Sequence, residues 1–233
     1  VMRMLIDFFL YLALAYLWNF LAGYAGLVSV GQQAYVGLGG YGMFALAVYA
    51  GVPPLVGVVV IGFIAAIVSV PIAAQPEQQR GAYFAIGSWV VAEVFRLGSS
   101  QIPPLGGGSG MSLPARVVMS IARSPHDRYT IVYWTSLVLL LVILVLIVMV
   151  LRSRYGMALT AIRDNELAAR SNGVDVGRVK LVMYVLTAFG TAMVGAMIFL
   201  QKLRISPDSG FSVNDWTAIV IFMVVIGGLG SFE

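Results

Sequence analysis

The fifteen residues Leu137–Leu151, "LVLLLVILVLIVMVL", contain no polar side chain. With the largely apolar residues before them they form a run near 131–151, close to the ~20 residues that cross the hydrocarbon core of a bilayer. The run lacks the period-two alternation of a barrel strand. In lipid its backbone polar groups must pair internally, so it is a helix. The whole chain has the same character: 60% of its 233 residues are hydrophobic and 10% charged, against about 25% charged in a soluble domain. Mean hydropathy is +0.94. The fold class expected is all-α, a polytopic transmembrane helical bundle forming a single domain over 1–233.

Working outward, no formal charge occurs from Phe8 to Pro76. That leaves room for three spans, near 5–22, 34–50 and 54–74, cut where glycine and proline break helices. A fourth runs near 82–99, a sixth near 181–200, and a seventh begins near Asp215, giving about seven spans or broken spans. Residues 23–33, "GYAGLVSVGQQ", are either a turn or a broken segment lining a cavity, where irregular backbone is tolerated at membrane depth. The start "VMRMLIDFF" passes directly into an apolar run and "VVIGGLGSFE" stops after glycines, so a chain truncated at one or both ends is expected.

Charge gives the topology. Arg152 through Lys180 hold nine of the 24 charged residues, six of them basic; 100–130 holds three basic residues. The positive-inside rule places 152–180 and 75–81 in the cytoplasm, and 51–53, 100–130 and 202–214 outside. The net charge of +4 therefore reports orientation and not nucleic-acid binding. The chain has no cysteine and one histidine, His126, which excludes thiol chemistry and a Cys- or His-rich metal site. His126 has Asp127 and Ser124 beside it, but adjacent loop residues are not a positioned triad. "GGGSGMSLP" and "GVDVGRVK" both lack the Gly-Lys-Ser/Thr ending of a phosphate-binding loop. No enzyme and no cofactor is expected. If ATP drives this protein, the ATPase is another polypeptide.

Two groups of polar residues in the apolar segments are candidates for a translocation path. "SVGQQAYVGLGGYG" sets Ser29, Gln32, Gln33 and Tyr35 beside five glycines, which suits either a broken helix meeting a polar solute or close helix packing with the glutamines as interhelical glue. Glu93 and Arg96 lie three apart on one face of the fourth span. They either neutralise each other near its outer end, where Arg snorkels, or face a zwitterionic solute in a vestibule.

The segment 152–180 writes a short capped helix. Asp164 or Asn165 supplies the N-cap, Glu166 favours the first turn, and Gly173 takes a left-handed C-terminal position. Arg163 and Glu166 share a face by spacing, and Ala168 and Ala169 let another surface approach the backbone. A solvated loop with ordinary positive-inside charge fits equally well.

This stretch, "ELAARSNG", resembles the coupling element of ABC importer permeases, a Glu-Ala-Ala-x-x-x-Gly motif here carrying Leu167 between Glu166 and the alanines. Four stretches in order, "GYAGLVSVGQQAYVGLGGYG", "RGAYFAIGSWVVAEVFRL", "YGMALTAIRDNELAARSNGVDVGRVKL" and "DWTAIVIFMVVIGGLGS", resemble the branched-chain amino acid permease family of LivM type. "AAQPEQQRGAYF" departs from that family's pattern. The resemblance implies a permease subunit of an ATP-driven importer in the bacterial plasma (inner) membrane. Its partners would be two ABC ATPase subunits, a second permease subunit, an extracytoplasmic substrate-binding protein, membrane lipid, and a branched-chain or related small amino acid as solute. It also implies an ATPase-coupling role for Arg163, Asp164, Glu166, Ala168, Ala169 and Gly173. The alternatives are an ion-gradient-driven secondary transporter or channel, and a structural membrane protein.

Overall fold

The structure, a computed structural model, describes residues 1–73, 81–122 and 124–230, with Ala82 and Asp164 described in their backbone only. The expected end of the third span and the departure before Arg80 fall largely at 74–80, outside the described residues.

Helix α1 spans Met2–Asn19 and continues as one π turn, Phe20–Tyr24. It is followed by α2 (Gln32–Tyr49), α3 (Pro54–Ala73) and α4 (Gly81–Gln101). A short α5 (Ala115–Ile121) precedes the long α6 (Pro125–Leu151). Helices α7 (Arg154–Asp164) and α8 (Glu166–Ser171) occupy the charged segment. Helix α9 (Val176–Lys202) leads to α10 (Pro207–Gly210), a π turn at Val213–Ala218 and α11 (Ile219–Gly227). The strands β1 (Met111–Ser112) and β2 (Arg204–Ile205) pair antiparallel and join the segment before α5 to that after α9. Five helical stretches are long and apolar enough to cross a membrane: Met2–Tyr24, Pro54–Ala73, Pro125–Leu151, Val176–Lys202 and Pro207–Gly227. The other two expected spans form the long helices α2 and α4. The glycines, glutamines and tyrosines that dilute the hydropathy of α2 are mostly buried inside the protein.

The boundaries follow from local chemistry. Ser124 caps α6, its Oγ accepting from the His126 N–H at 3.2 Å, and Pro125 takes the first helical position, where no N–H is missed. That start lies six residues before the expected one, because the cap extends the helix beyond the apolar run. The seventh span likewise begins before Asp215, at Pro207, through a Ser206–Ser209 capping box.

Helix α9 is the hub, packing against α1, α2, α3 and α6. Its crossing with α2 is made by glycines on both sides. A Cβ at Gly39 would lie 2.0 Å from the Ala192 carbonyl oxygen, and one at Gly195 2.3 Å from that of Val36. The two backbones touch directly, as small residues allow between membrane helices. Along α6, Val132, Ser136, Leu139, Leu140, Ile143 and Ile147 are buried, while Trp134, Val138, Leu141, Val145 and Met149 on the opposite face are exposed. Exposed apolar faces of this size on several helices fit a lipid surround. The chain is a multi-pass membrane protein.

The segments expected together at 51–53, 100–130 and 202–214 meet at one end, while the expected companion of 152–180 at 75–81 lies almost wholly outside the described residues. At one end Tyr49 Oη donates to the Pro104 carbonyl, Arg96 reaches Asp208, and β1 meets β2. At the other end, α7 contacts the π turn that closes α1.

Candidate functional site

Four of the expected path residues sit at the break between α1 and α2. After the π turn the chain runs irregularly through 25–31 with Gly26 at φ +66°. The Trp18 indole donates to the Ser29 carbonyl at 2.8 Å, and the Val30 N–H to Ser88 Oγ of α4 at 3.0 Å. Ser29, Gln32, Gln33 and Tyr35 are all buried. Gln32 Nε2 donates to the Leu14 carbonyl at 3.2 Å and to Thr191 Oγ1 at 3.4 Å. Gln33 Oε1 accepts from Thr217 Oγ1, and Tyr35 Oη donates to Tyr184 Oη at 3.1 Å. These contacts tie α2 to α1, α9 and the π turn before α11, so in this conformation the residues act as interhelical glue. The cavity that Ser29, Gln32, Tyr35, Tyr184 and Thr191 share with Trp18 has a volume of about 10 Å³. That is room for one water, far below the roughly 300 Å³ at which small-molecule pockets begin. Gln32 Oε1 and Gln33 Nε2 are buried without a partner among the described residues, which is uncommon for buried polar groups. Asn19 and Thr217 were not anticipated as parts of this region. Asn19 Oδ1 accepts from the Gly230 N–H at 2.8 Å, holding the end of the chain against Gly23. Replacing Asn19 with Leu should loosen that end by about 1–2 kcal/mol, read as faster amide exchange at residues 226–230.

Glu93 and Arg96 stand apart from these four. Arg96 Nη2 lies 2.6 Å from Glu93 Oε1, and its Nη1 lies 2.9 Å from Asp208 of α10. The pair neutralises itself as spacing suggests, but the second carboxylate, 112 positions away in sequence, was invisible from local spacing.

In the charged segment Asn165 is the cap: its Oδ1 accepts from the Ala168 N–H at 3.0 Å. The side chain of Asp164, the other candidate, lies outside the described residues. Gly173 has φ +82° with open space around it, as a C-terminal glycine requires. Two expectations are corrected. Arg163 and Glu166 do not share a helix face, because Asn165 is extended at φ −160° and ends α7. Ala169 is buried against its own chain, while Ala168 is exposed; on a one-and-a-half-turn helix adjacent residues point about 100° apart.

Glu166 reaches two cations instead. Its Oε1 accepts from Arg170 at 2.7 Å and its Oε2 from Lys180 Nζ at 2.9 Å. The Lys180 side chain is only 7% exposed. Lys180 follows Val176 and Val179 and precedes Met183 on the inward stripe of α9, the one sequence signal that could have marked it. The hydrogen bond from Lys180 holds the Glu166 carboxyl below its ordinary value of 4.5, with burial opposing and Arg170 assisting. The outer surface of this region carries Met157 at 72% and Leu167 at 79% exposure.

A small helix is thus fixed by a half-buried ion pair to the central span of a lipid-facing bundle. Residues 1–232 match the family model described as branched-chain amino acid transport system / permease component. The chain belongs to this permease family. It is 28% identical over 235 positions to the high-affinity branched-chain amino acid transport system permease protein LivM of Escherichia coli K12, and 27% identical to that of Salmonella typhimurium LT2. Each alignment covers 91% of this chain and 55% of the relative, so the permease chain spans about half the length of the curated relatives it matches. No solved structure matches the chain. The family is a transport permease component and not an enzyme.

Proposed function

We propose that this chain is the membrane-spanning permease subunit of an ATP-driven ABC importer in the bacterial inner membrane, translocating branched-chain or related small amino acids. ATP hydrolysis takes place on separate ATPase subunits, whose surface receives α8. A second permease subunit completes the path, and an extracytoplasmic binding protein delivers the solute. The observation that carries this reading is the Glu166–Lys180 pair, which ties α8 to α9 while leaving Leu167 and Ala168 exposed on the side away from the bundle. Movement imposed on α8 passes to α9, whose glycine crossing with α2 carries it to the 25–35 break. Each partner must favour one access state over the other for this to shift the equilibrium. Because the buried cavity among Ser29, Gln32 and Tyr35 has room for only a single water, solute passes either along the subunit seam or through an opened form of that break. The gradient-driven alternative has little support: among the described residues, the ion pair inside a span is Glu93–Arg96, already bonded to each other and to Asp208.

The test is Gly173→Leu in the assembled complex. Space around Gly173 is open, so inside the permease the change costs only the ~1–2 kcal/mol of a left-handed side chain. The expected result is an assembled transporter whose ATP hydrolysis no longer responds to solute and whose uptake falls at least tenfold, the equivalent of about 1.4 kcal/mol. Unchanged uptake and unchanged stimulation by solute would remove α8 from the coupling role.

A further inference from the structure

The cavity at the α1–α2 break is polar, and its hydrogen bonds do not balance. Trp18 of α1, Gln32 and Tyr35 of α2, and Tyr184, Thr187 and Thr191 of α9 are among the residues around its 10 Å³, and each of them is buried. Gln32 commits its Nε2 protons to the Leu14 carbonyl and to Thr191 Oγ1. Its Oε1 is left without a donor among the described residues. Turning the amide over is no remedy, because its oxygen would then face the Leu14 carbonyl, which can only accept. Tyr35 commits its proton to Tyr184 Oη. Among the described residues no acceptor takes the hydroxyl proton of Tyr184 or that of Thr191, whereas Thr187 bonds back to the Met183 carbonyl. One buried acceptor and two buried donors thus belong to side chains around the same small space, and unmade hydrogen bonds of this kind are costly.

We propose that this cavity is a binding site for one ordered water molecule, which donates to Gln32 Oε1 and accepts from the Tyr184 and Thr191 hydroxyls. The size admits one water and nothing larger, and about three hydrogen bonds are the usual complement of a buried water. A metal cation fits worse. The two hydroxyl protons need an acceptor, which a cation does not offer, and no side chain lining the cavity is charged. The partners come from α2 and α9, the helices whose backbones touch at Gly39 and Gly195. The water is therefore a polar joint between them at the level of the break. It can be broken and remade without drawing a long side chain through the apolar packing. The site stands whichever solute the permease carries, because its partners are groups of this chain alone.

The experiment is X-ray hydroxyl-radical footprinting of the full-length protein in its assembled complex, since a radical formed from a bound water oxidises the side chains beside it. The expected result is oxidation of Tyr184 and Tyr35 several-fold above that of Phe44, after correction for the intrinsic reactivity of each ring. Phe44 is also buried on α2 but does not line the cavity. Gln32→Met keeps the length of the side chain and removes the acceptor, so Tyr184 should fall to the level of Phe44. Thr191→Val removes one donor and should lower the Tyr184 signal likewise; it decides the question if the Gln32 variant fails to assemble. No excess at Tyr184 in the unaltered complex would mean a dry cavity and would overturn the proposal. An excess that persists in the variants would mean that bulk water reaches the tyrosines by an open route, which would overturn it equally.

Discussion

Replacing Gly39 or Gly195 with alanine should strongly destabilise the bundle. At both positions the new Cβ would meet backbone, 2.0 Å from the Ala192 oxygen or 2.3 Å from the Val36 oxygen. A flexible side chain could swing away from such a contact; a helix backbone cannot. The α2 and α9 axes must separate, which opens the contact along the length of the most buried helix pair. Overpacking a core costs about 1–3 kcal/mol, and two backbones in collision place this case at the upper end, about 3 kcal/mol. Gly57→Ala on α3 is the control, because its Cβ would sit 3.5 Å from Met43 Cγ in ordinary contact; its effect should stay within about 0.5 kcal/mol. Thermal unfolding in detergent, followed by the loss of monodisperse protein, separates the outcomes. Equal midpoints for Gly39→Ala and Gly57→Ala would mean that the α2–α9 crossing is looser than its geometry.

The second large effect concerns the latch of α8. Glu166→Gln removes the carboxylate from a lysine whose side chain is almost wholly buried, and an unpaired buried ammonium is costly. A charged hydrogen bond contributes about 1.5–3 kcal/mol. Because Glu166 is itself one-third exposed, water screens part of it, and about 1–2 kcal/mol of local stability should go. Amide exchange at 166–173 should accelerate while the middle of α9 keeps its protection. Lys180→Met should release α8 in the same way without harming α9, since an apolar side chain of similar length suits that buried position. The double variant should be no worse than either single one, because both remove one interaction. If the double variant instead sums the two effects, Glu166 and Lys180 act through different contacts.

The same pair predicts a pH dependence. The folded carboxyl titrates below its ordinary 4.5, so its contribution is complete above that value and is lost as pH falls through the lowered one. Exchange at 166–173 should therefore be insensitive to this pair near neutrality and should rise relative to the Glu166→Gln variant only in acid. A transition near pH 7 would point to another group.

By itself the sequence determined everything set by local chemistry in a lipid solvent. Unbroken apolar runs such as 137–151 had to be helices, because an unpaired backbone has no partner in hydrocarbon. Asn165 and Gly173 bounded α8 because capping and left-handed backbone are properties of single residues. The alternation of spans brought 51–53, 100–130 and 202–214 to one end. The ordered motifs also carried the family. Tertiary structure alone decided how distant residues meet. Besides Arg170 on its own helix, Glu166 takes Lys180, fourteen positions away, as a partner, because the extended Asn165 turns α8 back against α9. Ala169 faces inward for the same reason. Arg96 acquired Asp208, and Gln33 acquired Thr217, across intervals no spacing rule spans. The four polar residues at 29–35 can line a path or lock helices together with the same side chains. Which they do depends on the space left between α1, α2 and α9, and a volume enclosed by three helices is a property of their packing and not of any one segment.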